Sequence, residues 1–214
     1  MNTKGARSSL VPDATAASET LHAFSDTLDL FSGFTEEQIE KVVPLSRVRT
    51  IRKQGCFIRE GQQPRSFAFV RSGLFRYFYS DSNGHEFTKG FLQENSFIAS
   101  YSALIQKRAS YFSIQALEES LILEIDYEKW KSLAEKDLCW QKFLLGMLEK
   151  GYCIKEARER EFLLLDAEQR YRSFLSTFPT LEKRVKQHVI ASYLGITPVA
   201  LSRLRRNIRS INTG

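Results

Sequence analysis

The chain has 214 residues, 43% of them hydrophobic and 12% aromatic, enough for two modest domains with packed cores and too apolar for a chain that stays unfolded. Three widely spaced cysteines, Cys56, Cys139 and Cys153, with no histidine at ligand spacing, argue against a disulfide framework or a metal site and point to a reducing cytoplasm. No apolar run approaches a membrane span, no signal-peptide core begins the chain, and the net charge of +6 raises the question of where that charge lies.

Residues 1–20 are small and polar with no apolar period and read as a disordered arm. Thr35 followed by two acids, then Ile39, Val42 and Val43 before Pro44, predicts a short capped helix. Between residues 48 and 125, short β-branched and aromatic runs alternate with turn signals. Phe67, Phe69 and Val70 lead to Ser72-Gly73, residues 74–79 (LFRYFY) lead to a turn ending at Gly84, and residues 86–92 lead to Glu94-Asn95. This spacing predicts a small antiparallel barrel or jelly roll over residues 21–137.

Residues 138–165 then read as one long helix, with Leu144, Met147, Gly151 and Ile154 at 3 and 4 spacing and Arg158 interrupting the stripe. Such a helix can pair two copies of the chain or pack on its own barrel. Asp166 with Gln169 predicts a capping box at the start of a C-terminal domain, residues 166–214.

The most pointed pattern is residues 187–206, QHVIASYLGITPVALSRLRR. Ile190, Ala191 and Leu194 supply the inner face of one helix, Gly195 the corner and Ile196 the plug. Thr197 caps the next helix, Pro198 fits its first position, and Leu201 and Leu204 turn inward, leaving Val199, Ser202, Arg203 and Arg206 outside. This is helix-turn-helix register, and an ordinary helical hairpin with a glycine corner shares it.

Charge separates the two. From Arg170 onward there are nine basic side chains against one acid, Glu182, a larger surplus than that of the whole chain, so the preceding residues are net negative. Positive charge concentrated on the segment with groove-reading geometry is what phosphate neutralisation requires. Ser202, Arg203 and Arg206 are assigned to base edges or nearby phosphates with Val199 beside them, and Lys186, Gln187, His188, Thr197 and Arg205 to the DNA backbone.

The order of barrel, long helix and helix-turn-helix resembles the cyclic-AMP receptor protein (Crp/Fnr) family of bacterial transcription regulators. Residues 55–61 (GCFIREG), residues 69–76 (FVRSGLFR), the Gly84 hairpin and Phe97 carry the likeness over residues 31–208. The resemblance implies an α+β fold, a sensor barrel, a dimer made through the long helix, no enzymatic activity, and double-stranded DNA and RNA polymerase as partners.

In that family a Gly-Glu pair and an Arg-Ser or Arg-Thr pair hold the cyclic nucleotide. The matching places here carry Ala99-Ser100 and Ser110-Tyr111, so the phosphate arginine is missing. Arg108, two residues earlier and on the same face of a regular strand, is the candidate substitute. A cyclic nucleotide is therefore not the expected effector, and no cofactor or metal is expected. Family members often place a glutamate near the start of the reading helix, where this chain has Val199, which can touch a thymine methyl but accepts no hydrogen bond. The chain also shows no obvious wing strands after Arg206. Two other classes stay open: a ligand-binding or scaffold protein whose terminal helices dock a protein partner, and a cupin-like metal enzyme, for which the barrel offers only His85 beside Glu86.

Overall fold

The structure, a computed structural model, describes residues 14–31 and 33–211. Eight short strands form two four-stranded antiparallel sheets. One has the order β1 (Ser46–Ile51), β8 (Ser120–Asp126), β3 (Ser66–Ser72) and β6 (Ser96–Ile98); the other has β2 (Cys56–Ile58), β7 (Ser113–Ala116), β4 (Phe75–Ser80) and β5 (Glu86–Leu92). The predicted jelly-roll architecture is thus present, and the fold is α+β.

Strand β3 shows why the sheets hold. Its central residues are buried on both faces: Ala68 and Val70 point into the barrel core with Ile51, Ile98, Ile114 and Ile122, while Phe67 and Phe69 meet aromatic rings outside it. Those rings come from Phe24 on helix α1 (Ala14–Asp29), Phe97 on β6 and Trp130 on α4 (Tyr127–Ala134), and Trp140 and Phe143 at the start of α5 (Leu138–Leu164) extend the cluster behind them. Period-2 alternation puts one set inside and the other outside, and both are removed from water. At the β3–β4 corner Gly73 adopts φ 110°, and a Cβ there would lie 2.7 Å from the Ser120 Cα, so the turn requires glycine on both counts.

Helix α2 (Glu36–Glu40) carries the expected capping box, with Thr35 and Gln38 exchanging side-chain and backbone hydrogen bonds of 3.3 and 3.0 Å. The reading of residues 1–20 as an arm needs correction. Helix α1 begins at Ala14 and buries Thr20, whose hydroxyl donates to the Ala16 carbonyl at 2.6 Å; residues 1–13 lie outside the described residues. Alanine-rich sequence has strong helix propensity, and a threonine satisfied by the carbonyl four residues back can be buried without any hydrophobic period to announce it.

On strand β8, Glu124 is buried and gathers Arg47 (3.0 and 2.9 Å), Arg49 (3.0 Å) and the Ser66 hydroxyl (2.7 Å). Burial pushes its carboxyl up, but the Ser66 hydrogen bond and the two guanidinium groups together outweigh that and hold it below the ordinary value of 4.5. A depressed folded-state value stabilises the protein fully above the unfolded carboxylate range and loses that contribution as pH falls through the folded value. Glu124→Gln is therefore expected to lower unfolding free energy by about 1–3 kcal/mol at pH 7. Urea melts should show the gap to wild type closing towards pH 3; a gap independent of pH would place the stabilisation elsewhere.

The chain forms two compact units. Residues up to Tyr77 with Phe91–Gly146 make the first; Phe78–Gly90 with residues from Met147 onward make the second, so α5 contributes to both. Among the described residues no helix is long and apolar enough to cross a membrane.

Candidate nucleic-acid interface and barrel cassette

In the second unit, α6 (Ala167–Thr177), α7 (Leu181–Arg184), α8 (Gln187–Leu194) and α9 (Pro198–Ile211) follow one another. Asp166 and Gln169 close the predicted capping box at 2.8 and 3.0 Å. Helix α8 buries Val189, Ile190, Ala191, Tyr193 and Leu194, with the Tyr193 ring against Phe174 and Phe178. It ends at Gly195, whose φ of 69° is the left-handed conformation a helix stop uses, and the Ile196 amide returns to the Ala191 carbonyl at 3.0 Å. The Thr197 hydroxyl then accepts from the Ala200 amide at 3.1 Å, Pro198 starts α9, and Leu201 is buried against the preceding helices. Helix, glycine corner, capped second helix is the arrangement the sequence predicts.

On α9, Val199, Ser202, Arg203 and Arg206 fall at i, i+3, i+4 and i+7, and all four are exposed, Val199 at 62%. Among the described residues neither Arg203 nor Arg206 has a carboxylate partner. Lys186 and His188 are exposed at the start of α8. Both guanidinium groups thus stand on a helix face without an acid, able to donate to anions or base edges.

Two of the predicted contact residues have partners within the fold. Arg205 donates from Nε to Glu182 at 2.7 Å, and Glu182 also receives the Tyr171 hydroxyl, so Arg205 is held between α9 and α7 rather than presented outward. Gln187 donates to the Pro198 carbonyl at 2.9 Å, which pins the start of α9 to the start of α8.

Sequence reasoning also missed Arg158, noted only as a break in the α5 stripe. Its guanidinium bonds Glu161 at 3.1 Å and the Tyr193 carbonyl, and lies 3.7 Å from the Tyr193 ring centre and 4.1 Å from that of Phe162. Arg170 donates to the Leu194 and Leu165 carbonyls at 3.0 and 2.6 Å. These two arginines tie α8 to α5 and α6, so part of the positive charge in the C-terminal half is structural.

In the barrel, the cassette positions Ala99, Ser100 and Ser110 come together, before and after the short helix α3 (Tyr101–Ile105). The Ser100 and Ser110 hydroxyls are 2.8 Å apart, and Ser110 donates to the Phe112 carbonyl at 2.7 Å; both serines are buried. The Ala99 amide donates to the Tyr77 hydroxyl at 3.0 Å, and the Tyr77 ring stacks on Phe112 with centroids 5.3 Å apart. Tyr77 was not among the predicted residues, although its place two residues after Phe75 in LFRYFY puts it on the inward face.

The strand expected through Arg108 and Ser110 is absent. Lys107 takes a positive φ of 50°, and β7 begins only at Ser113. Arg108 therefore shares no strand face with Ser110; its guanidinium lies 3.8 Å from the centre of the Tyr111 ring, and Tyr111 is 63% exposed. His85 sits in the exposed β4–β5 turn with its Nδ1 3.0 Å from Asp81, and among the described residues no group of three or more His, Cys, Asp or Glu side chains could hold a metal.

Along the chain a jelly-roll barrel is thus followed by a long helix and a helix-turn-helix. Residues 48–137 match the family described as "Cyclic nucleotide-binding domain". No curated protein matches the sequence of the chain. Among solved structures, the chain is similar to FixK2 from Bradyrhizobium japonicum, at 15% identity over 78% of this chain and 86% of that one, with a TM-score of 0.69. It is also similar to CLP from Xanthomonas campestris, described as a c-di-GMP responsive global regulator, at 17% identity over 83% and 93% of the chains, with a TM-score of 0.66. A third structure, from Eubacterium rectale and assigned to the crp/fnr family of transcriptional regulators, gives 14% identity, 86% and 88% coverage and a TM-score of 0.69. The likeness to Crp/Fnr proteins read from the sequence thus holds at the level of the fold.

Proposed function

We propose that the protein is a dimeric, sequence-specific DNA-binding transcription regulator of the Crp/Fnr type. The observation that carries this reading is the outer face of α9, where Val199, Ser202, Arg203 and Arg206 form one exposed row with no acid in it. A row of this kind on the second helix of a helix-turn-helix fits the major groove. There Arg203 can donate a fork to guanine O6 and N7, Ser202 can donate or accept, and Val199 can meet a thymine methyl. Lys186 and His188 lie where the first helix approaches phosphates, and the Thr197 hydroxyl, which accepts the cap hydrogen bond, keeps its own proton to donate to one.

The second copy is assigned to α5. Its 27 residues make a rod about 40 Å long. Leu138, Leu145, Leu148 and Tyr152 recur at coiled-coil spacing and are all exposed in the single chain. A groove-reading unit of this size is expected to work as a two-fold pair, and a long helix with an uncovered apolar stripe supplies the seam.

The test is selection of bound sequences from a random DNA pool with the full chain. The expected result is a two-fold symmetric consensus whose half-sites lie about one helical turn, roughly 10 base pairs, apart. A selected pool with no consensus would overturn the reading.

A further inference from the structure

The cassette of this barrel is occupied from within. In a cyclic nucleotide-binding domain the Ala99-Ser100 and Ser110 positions face the bound anion; here the Ala99 amide and both serine hydroxyls already have partners from the chain. The Ala99 amide gives its proton to the Tyr77 hydroxyl at 3.0 Å. The two serine hydroxyls bond each other at 2.8 Å, and Ser110 passes its proton on to the Phe112 carbonyl at 2.7 Å. The apolar side is filled as well. Tyr77 packs against the barrel core cluster and stacks on Phe112, with the planes 22° apart.

The chemistry of the substitution is consistent. A buried amide donor needs an acceptor, and a phenol oxygen supplies one that is neutral and covalently attached. Burial pushes the Tyr77 hydroxyl well above its ordinary range, so the oxygen stays protonated and uncharged, and no guanidinium is needed to balance it. Arg108 sits in a turn, its guanidinium over the Tyr111 ring.

We propose that Tyr77 is an intrinsic occupant of the cyclic-nucleotide cassette, its ring filling the site beside Phe112 and its hydroxyl taking the Ala99 amide, so that the barrel keeps one conformation whether or not cyclic nucleotides are present. This deepens the regulator reading by naming how its barrel is regulated, namely not by a cyclic nucleotide. Its measurement uses no DNA, so the two stand or fall separately.

The experiment is isothermal titration of the full chain with cyclic AMP and with cyclic GMP, combined with amide hydrogen exchange resolved at Ala99. Wild type is expected to show no binding heat up to about 1 mM nucleotide, and its Ala99 amide to exchange at rates typical of the barrel strands. In Tyr77→Phe, which removes only the oxygen, Ala99 exchange should quicken at least about tenfold while amides in α6 to α9 keep their wild-type rates. Micromolar nucleotide binding by the wild type would overturn the proposal. So would a wild-type Ala99 amide that exchanges like an unfolded peptide, or one whose protection is unchanged in Tyr77→Phe. Should that variant fail to fold, both wild-type measurements still decide.

Discussion

Leu148→Glu combined with Tyr152→Glu is expected to turn the protein into a folded monomer and to weaken binding to a two-fold operator by roughly 10²–10⁴-fold. In the single chain both side chains are substantially exposed, Leu148 at 39% and Tyr152 at 67%, so charge can be placed there without burying it in the fold. In a dimer the same positions would lie in the apolar seam of two α5 helices, where each buried Leu or Tyr contributes about 1.5–3 kcal/mol and an unpaired carboxylate costs at least as much. The loss on DNA follows because two linked reading helices bind with an effective concentration that a lone one lacks. Light scattering should report one chain mass, and circular dichroism should stay as in wild type. A variant that remains a dimer would move the seam off this stripe.

The parts of the molecule that sequence made legible are those whose rules are local. Gly195 followed by Thr197 and Pro198 needed only the geometry of a helix stop and a helix start, and the structure has the left-handed glycine and the threonine cap in place. Asp166 with Gln169 was legible for the same reason. The barrel could be read as a series of strands separated by turns because alternation and turn residues are also short-range signals.

What escaped depends on partners far apart in the chain. Arg205 looked like one more arginine for the DNA backbone, and nothing near it announces that Glu182, on another helix, accepts from its Nε. Arg158 looked like a flaw in a stripe because its acceptor, the Tyr193 carbonyl, is 35 residues away. Tyr77 meets Ala99 across 22 residues, so the cassette could be read as lacking its arginine but not as holding a tyrosine. Ala14 to Thr20 failed for a different reason: small residues can form a helix that buries one threonine without producing any hydrophobic period.

The distinction between arginines that read and arginines that brace gives the second large expected effect. Arg203→Ala should cost about 1–3 kcal/mol at each half-site, about 2–6 kcal/mol for a dimer on a two-fold operator, and should relax base preference at the position it contacts. Arg203 is exposed and among the described residues has no acid to release, so on the proposed reading its removal subtracts a DNA contact without disturbing an ion pair of the fold. Lys186→Ala is the control of opposite kind. A lysine on phosphate carries no base information, so its loss should weaken specific and random DNA by equal factors and lower the slope of log affinity against log salt by about 1 for each copy. Competition binding on the selected operator and on scrambled DNA, each across a salt series, separates the two outcomes. If Arg203→Ala lowers affinity for both DNAs equally, α9 touches the backbone there, and base reading passes to Ser202, Arg206 and Val199.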